Sequence, residues 1–256
     1  MKKKKTTKVT LLLFFGVIAI NYLTATGKIP GISSQKDISS QYTTPITPAG
    51  FAFSIWGVIY FLLFLGIIYL HKTAADPERA KQINAITPPL WAMFAFNVLW
   101  NISFGLGWIE VSFFMIFGYW ASLVVIERRL LQGKGKSNFI LPLAFGIHCG
   151  WITIATIVNL YAVLVKRRIA IPENIGAIAV ILGVLILIFV MQGKLRNAVL
   201  PLATAWAFFG IYVKSAKPFF QFPFISILLW MGIVLLVALA AYTFKENNKA
   251  LLPRKP

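Results

Sequence analysis

Eight apolar runs, at 9–26, 49–70, 88–107, 111–126, 139–165, 175–192, 198–213 and 224–244, follow one another with only short polar connections between them. Runs of about 17 to 25 residues match the ~30 Å hydrocarbon core of a bilayer. A backbone surrounded by lipid has to satisfy its own hydrogen bonds, so such runs predict transmembrane α-helices. The alternation of apolar and polar residues that marks a transmembrane β-barrel is absent. Composition agrees: 12% of the 256 residues are charged, against about 25% in soluble domains, and the mean hydropathy is +0.78. The predicted class is all-α, a polytopic membrane helical bundle of eight spans.

The net charge of +18 raises nucleic acid as a partner, but the basic residues form short clusters between apolar runs rather than a stripe that could track phosphates. Nucleic acid is excluded on that ground, and membrane lipid is the expected partner. With the N-terminus inside, 18 of the 25 Lys and Arg fall on the cytoplasmic side, which predicts a multi-pass protein of the cytoplasmic membrane with both termini inside. Lys166, Arg167 and Arg168 run against that bias. The first run, behind Lys2–Lys5 and Lys8, also resembles a signal peptide with Ala25-Thr26-Gly27 as a cleavage site. Asn21, Tyr22 and Thr24 make its end a poor apolar region, so retention as a helix is expected. Pro88-Pro89 is suited to open a helix. Gly133 to Lys136 reads as a flexible polar turn, and Trp108 to Glu110 is short enough to force an antiparallel hairpin. The single cysteine, Cys149, cannot form an internal disulfide.

The seven acids fall in connections, at run ends or in the tail. Ion-coupled carriers usually need an intramembrane carboxylate, so that class is disfavoured. Paired catalytic carboxylates, diphosphate-binding Asp clusters and the metalloprotease and nucleophile-elbow motifs are also missing. The interior is aromatic instead. Phe53, Trp56 and Tyr60 step by three and four and share a face. Asn97 and Asn101 are four apart with Trp100 beside them, and His148, Trp151, Ala155 and Asn159 share another face. Two readings stay open: amides that join helices, or an aromatic cleft with a few placed polar groups, the usual make-up of a small-molecule site. His148 could serve as an axial haem ligand, though it stands alone without a second ligand.

Residues 48–60, Pro-Ala-Gly-Phe-Ala-Phe-Ser-Ile-Trp-Gly-Val-Ile-Tyr, resemble the second helix of the TspO/translocator protein family, also called tryptophan-rich sensory proteins or peripheral benzodiazepine receptors. Asn97-Val98-Leu99-Trp100-Asn101 is similar to the family's third-helix segment, with Asn101 in place of the usual Ser. Trp151 to Asn159 is similar to its Trp-x-x-x-Ala-x-x-x-Asn. The resemblance covers about 9–165 and implies a five-helix bundle at 1–165, followed at 166–256 by a three-helix extension with a basic tail. It further implies a cavity faced by Trp56, Asn97, Trp100, Trp151 and Ala155 that takes a tetrapyrrole such as a porphyrin or haem. No cofactor is firmly implied, and a homodimer is an expectation. Val158, Tyr161 and Lys166, and likewise Leu65, Tyr69 and Lys72, fit a cholesterol-recognition pattern of low specificity. Sensing, sequestering or handling the ligand is the expected role. An uncoupled facilitator for a lipophilic solute and a porphyrin-degrading enzyme are the alternatives.

Overall fold

Local signals in the sequence set the helix ends in the computed structural model, which describes residues 2–132, 138–215 and 223–253. The helices are α1 (Lys2–Ala25), α2 (Gln35–Gln41), α3 (Ile55–Lys72), α4 (Pro77–Gly105), α5 (Ile109–Gln132), α6 (Ile140–Lys166), α7 (Glu173–Leu195), α8 (Leu200–Ser215) and α9 (Pro223–Glu246), with a 3₁₀ turn at Gly50–Ser54 before α3. The described residues contain no strand. The expected turn at 133–136 and the last three residues of the basic tail lie outside them.

Two helix ends close in the same way. Gly27 (φ 63°) and Gly107 (φ 72°) take the left-handed conformation that only glycine adopts at no steric cost. Gly27 N–H donates to Thr24 O (3.2 Å) and Lys28 N–H to Leu23 O (2.9 Å); Gly107 N–H donates to Phe104 O and Trp108 N–H to Ser103 O, both at 2.9 Å. Both are Schellman turns, which satisfy carbonyls that a helix end otherwise leaves bare. The second folds α5 back against α4 as the expected antiparallel hairpin.

The proline pair does not open its helix. α4 starts eleven residues earlier, at Pro77, where the Asp76 carboxylate accepts from Arg79 N–H (3.0 Å) and a first-position proline loses no hydrogen bond. Pro88 and Pro89 sit inside α4. The carbonyl of Ala85, four residues before Pro89, has lost its helical donor. The Arg129 guanidinium of α5 donates to it instead.

Among the described residues, six helical segments are long and apolar enough to cross a membrane: Lys3–Ala25, Gly50–Lys72, Ile109–Gln132, Ile140–Lys166, Glu173–Leu195 and Phe224–Glu246. Two of the eight expected spans do not qualify by themselves. The apolar run in α8, 198–213, has 16 residues, a helical length of about 24 Å, and the apolar run of α4 is diluted by Pro88, Pro89, Asn97 and Asn101. Both are sheltered by protein, α4 between α1 and α5 and α8 between α6 and α9.

α6 is the central post, with most of its apolar stretch buried. Its glycines let the α7–α8 turn approach closely. A Cβ at Gly146 would stand 2.6 Å from Asn197 Nδ2, and one at Gly150 2.2 Å from the Leu200 carbonyl. Small residues four apart are a common device for bringing membrane helices together. α8 is also tied to the 3₁₀ turn, through Trp206 Nε1 donating to Ala52 O and Ala49 N–H donating to Gly210 O, both at 2.9 Å. At the opposite end of α6, Lys166 and Arg167 pair with Glu110 of α5 at 2.7 and 2.9 Å, which gives two of the contrary basic residues a structural partner.

Candidate functional site

The third and first apolar runs meet through amides. Asn97 and Asn101, one turn apart on α4, both reach Asn21 of α1. Asn21 Nδ2 donates to Asn97 Oδ1 at 2.8 Å, and Asn101 Nδ2 donates to Asn21 Oδ1 and to the Asn97 carbonyl. From the connection above, Gln35 of α2 donates its Nε2 to Asn101 Oδ1. The result is a ladder of four amides joining three helices. One group in it is unspent: Asn97 is 1% exposed, yet its Nδ2 makes no hydrogen bond. It lies near the hydroxyls of Tyr60 and Tyr119.

The aromatic side chains gather on Trp56 of α3. Trp56 stacks on Tyr60, with centroids 5.4 Å apart and planes at 19°. Its edge contacts are His148 at 6.0 Å and Trp151 at 6.4 Å, both near perpendicular. Phe53, in the 3₁₀ turn, meets Trp151 edge-on at 5.7 Å. Offset and edge-on pairs of this kind suit the ring quadrupoles. Behind Trp56, Tyr119 of α5 and His148 Nε2 share a hydrogen bond of 2.5 Å. His148 Nδ1 and Trp151 Nε1 are buried without partners.

Between these two groups lies a cavity of about 230 Å³. α1 lines it with Ile18, Asn21, Tyr22 and Ala25, α2 with Gln35, α3 with Trp56 and Tyr60, and α4 with Trp100. Tyr22 is 55% exposed and marks the mouth. The cavity wall is apolar and aromatic, with a small number of neutral polar groups.

Of the residues singled out in the sequence, Trp56, Tyr60 and Trp100 line this cavity. Asn97 and Asn101 lie outside the lining and hold its two amides, Asn21 and Gln35, in place. Phe53, His148 and Trp151 stand behind or beside Trp56, and Ala155 is half-buried against the core. Asn159 is spent on a clamp between helices. Its Oδ1 accepts from Trp100 Nε1 at 2.9 Å and from Ser112 Oγ at 3.1 Å, and its Nδ2 donates to Ile109 O at 3.3 Å. Tyr161 of the sterol-like pattern is closed off by α7, where Gly176 has no room for a Cβ beside the Tyr161 hydroxyl.

Haem coordination through His148 does not fit this arrangement. The imidazole is 1% exposed, is bonded to Tyr119 and lies outside the cavity lining. Sequence reasoning passed over Asn21, Tyr22, Gln35 and Tyr119. Asn21 carried a usable signal, since an amide inside an apolar run needs a partner wherever the run ends up.

One expectation needs correction. Glu127 was placed at a run end, but α5 continues to Gln132, and the α7–α8 turn covers the carboxylate completely, at 0% exposure. Asn197 Nδ2 donates to both its oxygens, at 3.1 and 2.9 Å, and to the Pro142 carbonyl at 2.8 Å. Val199 N–H donates to Asn197 Oδ1 at 3.0 Å, which fixes the orientation of the amide. A buried carboxylate is therefore present in the bundle, and its supposed absence no longer argues against ion coupling.

No curated protein and no solved structure matches the chain. A family model described as TSPO-like protein matches residues 7–242, from the first turns of α1 to the last turn of α9. The match runs through the three helices that the motif resemblance left uncovered. A multi-pass helical architecture, an aromatic and amide-lined cavity among the N-terminal helices, and a family match over most of the length agree, and the chain belongs to the TSPO-like protein family.

Proposed function

We propose that this membrane protein binds a planar hydrophobic ligand of porphyrin type in the cavity beneath α2, in order to sense, sequester or hand on that ligand. The observation that carries the reading is the cavity itself: Trp56, Tyr60 and Trp100 line it with aromatic side chains, and the amides of Asn21 and Gln35 supply its polar groups. Ligand pockets commonly measure about 300–1,000 Å³, so at about 230 Å³ the cavity is closed down. A whole tetrapyrrole enters only if α2 and Gln35 move aside.

Titration of the purified protein with metal-free protoporphyrin, followed by the Soret shift, tests the reading. Aromatic contacts contribute about 0.5–1.5 kcal/mol beyond buried area, so Trp56→Leu and Tyr60→Leu should each weaken binding by about 2- to 12-fold. Trp230→Leu, on α9 and 45% exposed, should bind like the parent. His148→Ala should leave haem no weaker relative to the metal-free ring than in the parent. Equal affinities in the parent and both cavity variants would refute the placement of the site.

A further inference from the structure

We infer that the ligand of this cavity is an anion whose charged group stays at the mouth, where the Lys28 ammonium and the Tyr22 hydroxyl receive it. The inference rests on the planar-ligand reading above and adds the charge and the orientation of the ligand.

Geometry at the end of α1 is the starting point. The Gly27 turn sends the chain back on itself, and Lys28 N–H closes on Leu23 O, so the Lys28 side chain is returned over the last turns of α1. Its ammonium lies 3.3 Å from the Tyr22 hydroxyl and 5.1 Å above the Tyr22 ring. Tyr22 in turn lines the cavity. Among the described residues no carboxylate pairs with Lys28. The Asp37 carboxylate accepts from its own helix cap, Ser34 Oγ, at 2.7 Å.

The inner wall dictates the orientation. The side chains lining the cavity include two amides, two phenols and two indoles but no Lys, Arg, His, Asp or Glu. A carboxylate buried against neutral groups alone is costly, so a charged ligand group has to remain at the open end. There it meets Lys28, whose ammonium the fold holds against the lining residue Tyr22.

The test compares protoporphyrin, which carries two carboxylates, with its dimethyl ester, using the full-length protein in uncharged detergent. An exposed charge pair contributes modestly, so the parent should prefer the acid by about 2- to 5-fold, and added salt should erase that preference. Lys28→Gln should reduce acid binding to the ester level and leave the ester unchanged, while Lys28→Arg should restore the acid. Lys81→Gln, whose partner is Glu78, should behave like the parent. Equal, salt-independent binding of acid and ester by the parent would overturn the inference and leave the planar-ligand reading standing. So would an equal loss of both in Lys28→Gln, which would assign Lys28 to the turn rather than to the ligand. Failure of both probes to bind the parent would refute the planar-ligand reading itself, and this inference with it.

Discussion

In lipid an unpaired amide has no water to turn to, and Asn21 has both ends of its side chain engaged by α4. Asn21→Leu would strip Asn97 Oδ1 of its donor and leave Asn101 Nδ2 with only a backbone acceptor. Leaving buried polar groups unmatched costs about 1–3 kcal/mol, so the variant should unfold at lower denaturant than the parent in detergent. Replacing Asn21, Asn97 and Asn101 together by Leu should recover part of that loss, because only Gln35, half-buried at the end of the ladder, then loses a partner. A triple variant less stable than Asn21→Leu by a further full step would show that the ladder is not a unit. Asn97 and Asn101 could be read from the sequence because two amides four apart in an apolar run share a helix face. Their partners could not, since Asn21 and Gln35 come from other helices and only packing brings them together. Glu127 was misplaced for a similar reason: its cover, Asn197, is 70 residues away.

At the level of the helix, the exchange between α4 and α5 is open to a direct measurement. Pro89 withholds the N–H that Ala85 would otherwise accept, and Arg129 fills the gap. Pro89→Ala restores the helical donor, so Arg129→Ala should cost less in the Pro89→Ala background than in the parent. The two substitutions should couple by about 0.5–3 kcal/mol in a double-mutant cycle of denaturation midpoints. Additive effects would mean that the guanidinium is not replacing the missing donor. Most of the helices were legible as apolar runs because lipid permits little else. The start of α4 was not, because residues 77–87 are polar and their helicity comes from the Asp76 cap and contact with α1 rather than from hydropathy.

For the whole molecule, orientation remains an expectation from charge, and the lone cysteine makes it testable. Cys149 is fully buried and should stay silent toward a membrane-impermeant maleimide. Ser34→Cys, in the connection between α1 and α2, should label on intact cells, and Asn248→Cys, beyond α9, only after the membrane is opened. Labelling of both on intact cells would contradict the placement of the C-terminus inside.

The two helices that are poor spans by themselves bear on how the chain is made. α4 emerges from synthesis after α1, so the Asn21 side chain is already in the bilayer when Asn97 and Asn101 arrive in need of a partner. α8, whose apolar run of 16 residues is short for a crossing, follows α6, whose Gly146 and Gly150 offer a groove for the turn that leads into it. Each weak segment thus meets one of its two neighbours already in place. The order of helices along the chain doubles as an order of insertion, and rearranging it would release amides or a short helix into lipid with nothing yet there to receive them.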